Sequence, residues 1–368
     1  MAGLYIGLMS GTSMDGIDAA LVDFSDTNAP TLLDYSTYQY PKPLLDELHA
    51  LSQPGDDEIQ RMGVASRQVG KAFADAVQQL LKRNSLIPSQ VQALGSHGQT
   101  IRHFPDKEHG YSLQIGDANT IAVNTGIDVI ADFRNKDIAL GGQGAPLVPA
   151  FHHSVFAHPQ QPRSIVNIGG IANITQLSIK DDIANIRGYD TGPGNTLMDA
   201  WIKQHLDKAY DKDGQWAASG SVHEQLLASL LAHPYFAEPA PKSTGREDFH
   251  LVWLQQILTA QPDEITPEDV QATLLALTVQ TIADCVGDTE VFICGGGAYN
   301  SQLMQALQQA LAPRTVTSTL SLGIAPDAVE AMAFAWLAYA HQQGIHGNIP
   351  AVTGANRSAI LGGYYPAG

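Results

Sequence analysis

Short apolar runs separated by clusters of Gly, Ser, Thr and Asp open the chain and return near its middle, which predicts strands joined by tight loops. Leu4–Met9 reads as one strand and Ile17–Phe24 as its partner, with the small-residue loop Ser10–Gly16 between them. Ile165–Ile168 and Ile171–Leu177, broken at Gly169-Gly170, read as a second hairpin. Between these hairpins the period changes. Leu44, Leu45 and Leu48, then Val69, Phe73, Val77, Leu80 and Leu81, recur at helical spacing over residues 43–84. Val91–Ser96 is a buried strand expected to end at Ser96-His-Gly-Gln-Thr100. A strand over 112–116, a helix over 119–125 and a strand over 127–131 follow. The loop-like stretch Leu140–Pro149 is expected to carry the chain from one domain to the next, with Gly141–Gly144 as a hinge. Further on, Asn195 is placed to cap a helix starting at Thr196, and Thr266-Pro-Glu-Asp269 opens another that runs to Val286. Glu290–Cys294 is a strand, Gly295–Gly297 a turn and Asn300 the start of a helix; a last helix spans Ala331–Ala340, and the tail returns to the first domain as a strand.

Two hairpins of the same kind, about 160 residues apart, point to an internally duplicated α/β fold whose halves each offer an anion loop; alternatively, both are merely hairpins. A chain of 368 residues exceeds what one core usually supports. The expected division is residues 1–130 with 345–368 as a sugar and phosphate domain, and 131–344 as a nucleotide-binding domain. Charge then narrows the partners. With 37 acidic against 20 basic residues, a formal charge of −17 and no Lys/Arg cluster, binding to nucleic acid or an anionic membrane is disfavoured. No apolar run approaches a membrane span, the N-terminus lacks a leader pattern, and Cys285 and Cys294 lie in apolar segments, so a cytoplasmic protein without disulfides is expected.

Candidate chemistry sits in the glycine turns. Gly11, Thr12, Ser13, Met14, Asp15 and Gly16 form a loop of small and hydroxyl residues around one carboxylate; Gly169-Gly170 and Gly295-Gly296-Gly297 are two more turns where main chain can approach an anion or a flat base. Asp190, followed by Thr-Gly-Pro-Gly, is expected at a rigid strand end facing a cleft, and an anion cradle beside a fixed carboxylate suggests phosphoryl transfer. His97 and Gln99 read as sugar-positioning groups rather than reacting ones. Arg134, at the C-terminal end of a strand, either clamps an anion or sugar or pairs with Asp137. Glu330 begins an apolar helix, where a dipole or capping role competes with a functional one. Asp211–Trp216 resembles part of a calcium loop but lacks the remaining ligands and reads as a surface turn. The loop Lys242-Ser-Thr-Gly-Arg246 either touches substrate or closes its domain, and no Walker sequence occurs.

Taken together, Gly7-Leu-Met-Ser-Gly-Thr-Ser-Met-Asp-Gly-Ile-Asp18, Gly95–Thr100, Gly141–Pro149, Asn167-Ile-Gly-Gly-Ile-Ala-Asn173, Asp190–Asn195 and Cys294–Ala298 resemble the anhydro-N-acetylmuramic acid kinase family of the actin, hexokinase and heat-shock ATPase superfamily. The resemblance implies a two-domain actin-like ATPase (ribonuclease-H-like) fold, with duplicated mixed sheets flanked by helices and an interdomain cleft. It implies opening of the 1,6-anhydro ring by water, coupled to phosphorylation of O6 by ATP with Mg²⁺, and a homodimer. Asp190 would be the general base. Gly11 to Asp18, Ile17 included, would hold the phosphates with Asp15 toward Mg²⁺; Gly169, Gly170 and Asn173 would form the second phosphate loop; Gly295, Gly296, Gly297 and Asn300 would face the nucleoside. His97, Gln99, Arg134 and Glu330 would serve the sugar. An ordinary hexosamine kinase of the same fold and a nucleotide-gated actin-like binding protein are the competing expectations.

Overall fold

A computed structural model describes residues 3–26, 29–105, 108–245 and 247–368. The chain begins with β1 (Leu4–Ser10), β2 (Ile17–Asp23) and β3 (Thr31–Tyr38), an antiparallel meander. Helices α1 (Lys42–Leu51) and α2 (Glu58–Arg83) lead to β4 (Val91–Phe104), β5 (Tyr111–Ile115), α3 (Ala118–Thr125), β6 (Val129–Ala131), α4 (Arg134–Ala139) and α5 (Val148–Phe156). A second meander follows: β7 (Arg163–Ile168), β8 (Ile171–Leu177) and β9 (Arg187–Pro193). Helices α6 (Thr196–Leu206), α7 (Glu224–Leu231), α8 (Pro234–Ala237), α9 (Leu251–Thr259) and α10 (Pro267–Ala283) precede β10 (Glu290–Cys294), α11 (Ser301–Ala310) and β11 (Val316–Ser318). The chain closes with α12 (Val329–Gln343), α13 (Pro350–Thr353) and β12 (Gly363–Tyr365).

Two units divide this chain: residues 1–155 with 328–368, and residues 156–327. Their sheets repeat one plan. The first has the order β12-β6-β4-β1-β2-β3 with β5 on β4, the second β11-β10-β7-β8-β9. In each, three antiparallel strands are extended by two parallel ones, β4 and β6 on β1, β10 and β11 on β7. The internally duplicated α/β fold expected from the paired hairpins is therefore present.

In the first unit α12 lies directly on the sheet. A Cβ at Gly7 would come within 1.8 Å of the Ala331 carbonyl oxygen, and one at Gly95 within 1.9 Å of that of Phe334. Only glycine permits this approach. The other side of the sheet buries Ile6, Leu8, Leu21 and Leu94 with Leu48, Phe73 and Val77 of α1 and α2. In the second unit Val166, Ile174 and Ile293 pack with Leu274, Leu277 and Ile282 of α10 and Leu303 and Leu307 of α11.

The domain boundaries differ from those expected at 130/131 and 344/345. Residues 131–155 stay in the first unit because α5 runs unbroken through Pro149, buries Phe151, and accepts from the Trp336 indole of α12 at Ser154 Oγ (3.2 Å). Residues 328–344 stay with it because α12 covers β1, β2 and β4. Leu140–Pro149 is accordingly not the crossing, and Gly141–Gly144 is not a hinge. Gly142 and Gly144 donate to the Asp137 carbonyl and Oδ2 (2.9 and 2.8 Å), and Gln143 N–H donates to Thr353 O (2.8 Å). Two smaller expectations also change. Strand β4 does not end at Ser96–Thr100 but continues to Phe104, because β5 pairs with its second half. Asn195 precedes α6 without a side-chain cap, its amide donating to Ile168 O instead (3.2 Å). Asp211–Trp216 is a turn as expected, but Asp211 is buried rather than at the surface, its carboxylate accepting from Trp216 and Ala217 N–H (2.9 Å each). Among the described residues no helix is long and apolar enough to cross a membrane.

Candidate functional site

In the first unit the loop between β1 and β2 is held from below by β4. The β1–β4 register slips between Leu8 and Ser10, so His97 and Gly98 form a bulge opposite Met9, with Gly98 at φ +76°. A bulge re-aims the side chains around it. Gln99 is wholly buried; its Nε2 donates to Gly11 O (3.0 Å) and Thr100 O (3.2 Å), and its Oε1 lies 2.7 Å from the Ser10 hydroxyl. That hydroxyl is also 2.7 Å from Gly16 O, so both ends of the loop are tied to one amide. Gln99 thus holds the loop and has no polar atom left over for a sugar. Within the loop Met14 sits at φ +60° with its side chain buried in the core, and its N–H donates to Gly11 O (3.1 Å). A non-glycine residue in that conformation stores strain of the kind found at ligand-binding turns. Thr12 and Asp15 are exposed and Ser13 is half-buried. Ile17 is a core residue of β2, and Asp18 Oδ1 accepts from Tyr35 OH (2.8 Å) and Thr37 Oγ1 (2.5 Å), so these two brace the loop from the strand behind it.

His97, Arg134 and Glu330 are brought together. His97 Nδ1 faces Ser10 O (3.1 Å), and Nε2 accepts from Arg134 Nε (3.2 Å) and Nη2 (2.9 Å). Burial, reinforced by the Arg134 charge, drives the imidazole down to about 3, so it is neutral with its proton on Nδ1. Arg134 also donates from Nη1 to Gly144 O (2.8 Å). Burial pulls its guanidinium down to about 10, while the charges of Glu330 and Asp137 support it. The alternative ion pair with Asp137 gives way to a different arrangement. That fully buried carboxylate accepts from Gly144 N–H, Asn348 Nδ2 (2.6 Å) and Thr353 Oγ1 (2.8 Å). A continuous chain of bonds therefore runs from the C-terminal segment through Gly144, Arg134 and His97 to the loop at Ser10.

In the second unit Gly169 and Gly170 turn the β7–β8 hairpin, and their carbonyls accept from the N–H groups of Asn195 (2.8 Å), Gly194 (2.9 Å) and Thr196 (3.0 Å). A Cβ at Gly194 would stand 2.4 Å from Gly169 O, so this closure needs glycine. Asp190 is not at a strand end. Pairing of β8 with β9 continues to Pro193, and Asp190 lies opposite Asn173 next to a bulge at Thr191. Its Oδ2 accepts from Thr244 N–H (3.1 Å), its N–H donates to Lys242 O (3.1 Å) and its carbonyl accepts from Tyr235 OH (2.6 Å). Burial pushes the carboxyl up to about 6, the Glu247 charge pushes the same way, and donation from Thr244 and Ser243 opposes both. A base poised near neutrality is what proton abstraction from a sugar or water requires. Sequence reasoning does not find Ser243, Thr244, Tyr235 and Glu247 individually, because they lie some 45 to 57 residues from Asp190 in the chain. The one signal is the polar loop Lys242–Arg246, of which Arg246 lies outside the described residues.

The glycines sort by what surrounds them. Gly295, at φ +76°, and Gly297 are required by packing, since a Cβ would meet Asn167 Oδ1 at 2.2 Å and Ile168 Cγ2 at 2.5 Å. Gly16 is likewise pressed against Thr37 Cγ2 (2.7 Å). Gly11 and Gly169 meet nothing nearer than 3.6 Å and Gly296 nothing within 4 Å, none of them at positive φ. Their bare faces serve no neighbour in the chain and leave main chain open to a ligand. Asn300 caps α11 through Leu303 N–H (3.0 Å).

A repeated five-strand core, glycine turns with open main-chain faces and a carboxylate biased toward protonation are the parts of a phosphotransferase with a duplicated α/β fold. The family model for anhydro-N-acetylmuramic acid kinase matches residues 3–367, and the chain belongs to that family. The anhydro-N-acetylmuramic acid kinase of Shewanella pealeana is 55% identical over 99% of this chain and 98% of its own. That of Shewanella loihica is 56% identical over 98% of each. Among solved structures, the activator of the 2-hydroxyisocaproyl-CoA dehydratase from Clostridium difficile aligns over 92% of this chain and 96% of its own, at 11% identity and a TM-score of 0.48, too remote to inform the chemistry.

Proposed function

We propose that this kinase takes 1,6-anhydro-N-acetylmuramic acid, water and ATP to N-acetylmuramic acid 6-phosphate and ADP, a step of cell-wall recycling. Asp190 removes a proton from water as its oxygen bonds to C1; the C1–O6 bond breaks, and O6 takes the γ-phosphoryl as the bond to the β-phosphate oxygen opens. Membership of the family over residues 3–367 carries this reading, and the Asp190 carboxyl, pushed up to about 6, suits it, being ionised at neutral pH yet basic enough to accept the proton. Gly11 to Gly16, with Gly169 and Gly170, offer main chain to the phosphates, and Gly296 offers it to the nucleoside. Arg134, fixed by His97 and Gly144 and faced by Glu330, is the group suited to the sugar. Mg²⁺ needs only one or two protein carboxylates, since phosphate and water complete its shell. The exposed Asp15 fits that role, whereas Asp18 is committed to Tyr35 and Thr37. Bound there, the ion would offset phosphate charge. The cytoplasm as location and a homodimer as assembly belong to the same reading.

The test is ADP release with ATP and either the anhydro sugar or free N-acetylmuramic acid. Turnover confined to the anhydro sugar is expected; preference for the free sugar points to an ordinary hexosamine kinase, and slow ATP turnover indifferent to either sugar points to a nucleotide-gated binding protein.

A further inference from the structure

We propose that Lys242–Gly245 is a clamp that aims the Asp190 carboxylate, with Ser243 and Thr244 as positioning residues for it. The inference rests on the role of Asp190 given above. The hairpin that carries Asp190 does not itself fix the carboxylate: β8 pairs with β9 through main chain, and the bulge at Thr191 loosens the register beside it. Orientation comes from the loop. Lys242 O accepts from Asp190 N–H and Thr244 N–H donates to Oδ2, both at 3.1 Å, so the loop runs along β9 like a short additional strand ending on the side chain. Ser243 lies between these two contacts, and its side chain holds the carboxyl down alongside Thr244.

The loop is itself secured at both ends. Lys242 Nζ donates to the carbonyls of Tyr235 (2.9 Å) and Phe236 (3.3 Å) and lies 4.5 Å from the Tyr235 ring centroid. Tyr235 in turn holds Asp190 O. At the far end Thr244 Oγ1 donates to Asp248 Oδ2 (2.6 Å), the N–H groups of Asp248 and Phe249 close a turn on Gly245 O (3.3 Å each), and Phe249 is buried among Tyr235, Phe236 and Trp253. Ser243 and Glu247, by contrast, are exposed, so they can be changed without opening a core. The titratable and charged groups around Asp190 are Lys242 of the loop, Glu247 and Asp248 after it, Tyr235 of α8, Tyr189 of β9 and Cys285 after α10.

The two exposed residues pull the carboxyl in opposite directions. Removing a donor to the ionised form raises its pKa, and removing a neighbouring negative charge lowers it. The experiment is an NMR titration of the Asp190 carboxyl carbon in the whole protein, wild type beside Ser243→Ala, Ser243→Thr and Glu247→Gln, together with kcat against pH for each. Ser243→Ala should raise the Asp190 titration and the acid limb of kcat together, and lower kcat several-fold at neutral pH with KM for ATP unchanged. Ser243→Thr should restore both, and Glu247→Gln should move both down. An Asp190 titration in Ser243→Ala coincident with wild type would overturn the clamp, whatever Glu247→Gln does. Because the titration needs no turnover, a wild-type protein inert toward the anhydro sugar would overturn the proposed reaction, while the clamp would still stand or fall by the titration.

Discussion

Replacing Gly296 by alanine separates a glycine kept for folding from one kept for a ligand. No atom lies within 4 Å of the added methyl and the residue is not at positive φ, so the folded chain accepts it without displacement. Alanine also restricts the unfolded chain, a gain of about 0.4–1 kcal/mol, or roughly 1–3 °C in Tm. The nucleoside proposed to lie against this main chain would be pushed outward by about 1 Å, and a misplacement of that size costs on the order of 100-fold. Expected, then, is an unchanged or slightly higher Tm with kcat/KM for ATP down by about two orders of magnitude. Gly295→Ala, next along the chain, is the control. It forces a Cβ to 2.2 Å from Asn167 Oδ1, and its backbone at φ +76° and ψ 179° lies in a region essentially confined to glycine, which alone costs about 1–3 kcal/mol. There the Tm should fall by several degrees. The assays are thermal unfolding and initial rates against ATP concentration. Unchanged kinetics in Gly296→Ala, or a Tm loss matching that of Gly295→Ala, would refute the reasoning.

Further outcomes follow from the same structure. Asp190→Asn should lower turnover by about 10²- to 10⁴-fold with nucleotide affinity retained. Because folding raises the wild-type carboxyl from 3.8 to about 6, its stabilising contribution is complete below 3.8 and is lost as pH rises through 6, so above that pH Asp190→Asn should melt no lower than wild type. By the same titration, wild-type kcat should fall as pH drops through about 6, read from rates in buffers of matched ionic strength. Gly7→Ala, which drives a methyl into the α12 main chain, should unfold the first unit or lower its Tm by well over 5 °C, seen by calorimetry. Asp137→Ala strands the Gly144 amide, Asn348 and Thr353 in the interior and should cost about 3–5 kcal/mol, with KM for the sugar raised because Gly144 anchors Arg134.

The two hairpins and their duplication were legible because alternation and glycine turns are local signals, and so were the glycine loops and Asp190 itself. The crossing between units was not. Leu140–Pro149 looks like a linker, yet Asp137 stitches it down, and the true crossing lies at the end of α5, just before the shorter polar stretch His158–Pro162. Both bulges, at His97-Gly98 and at Thr191, were invisible because register is set by the partner strand. Gln99 reads as a ligand group in the sequence and is a loop holder in the fold, since its polar atoms are spent on backbone 88 residues away. Which glycines serve packing and which serve a ligand depends on atoms distant in the chain, and so does the grip of Thr244 on Asp190.

The first unit is built from segments on either side of the second, and α12, made after residues 156–327, is the layer that lies on Gly7 and Gly95. On the ribosome the opening strands therefore emerge with one side bare, while residues 156–327 already possess a complete sheet with its helices and can finish first. Synthesis thus leaves a sticky, half-made N-terminal piece waiting for residues 328–368, and a chain cut short between Asp327 and Val329 can finish only its middle.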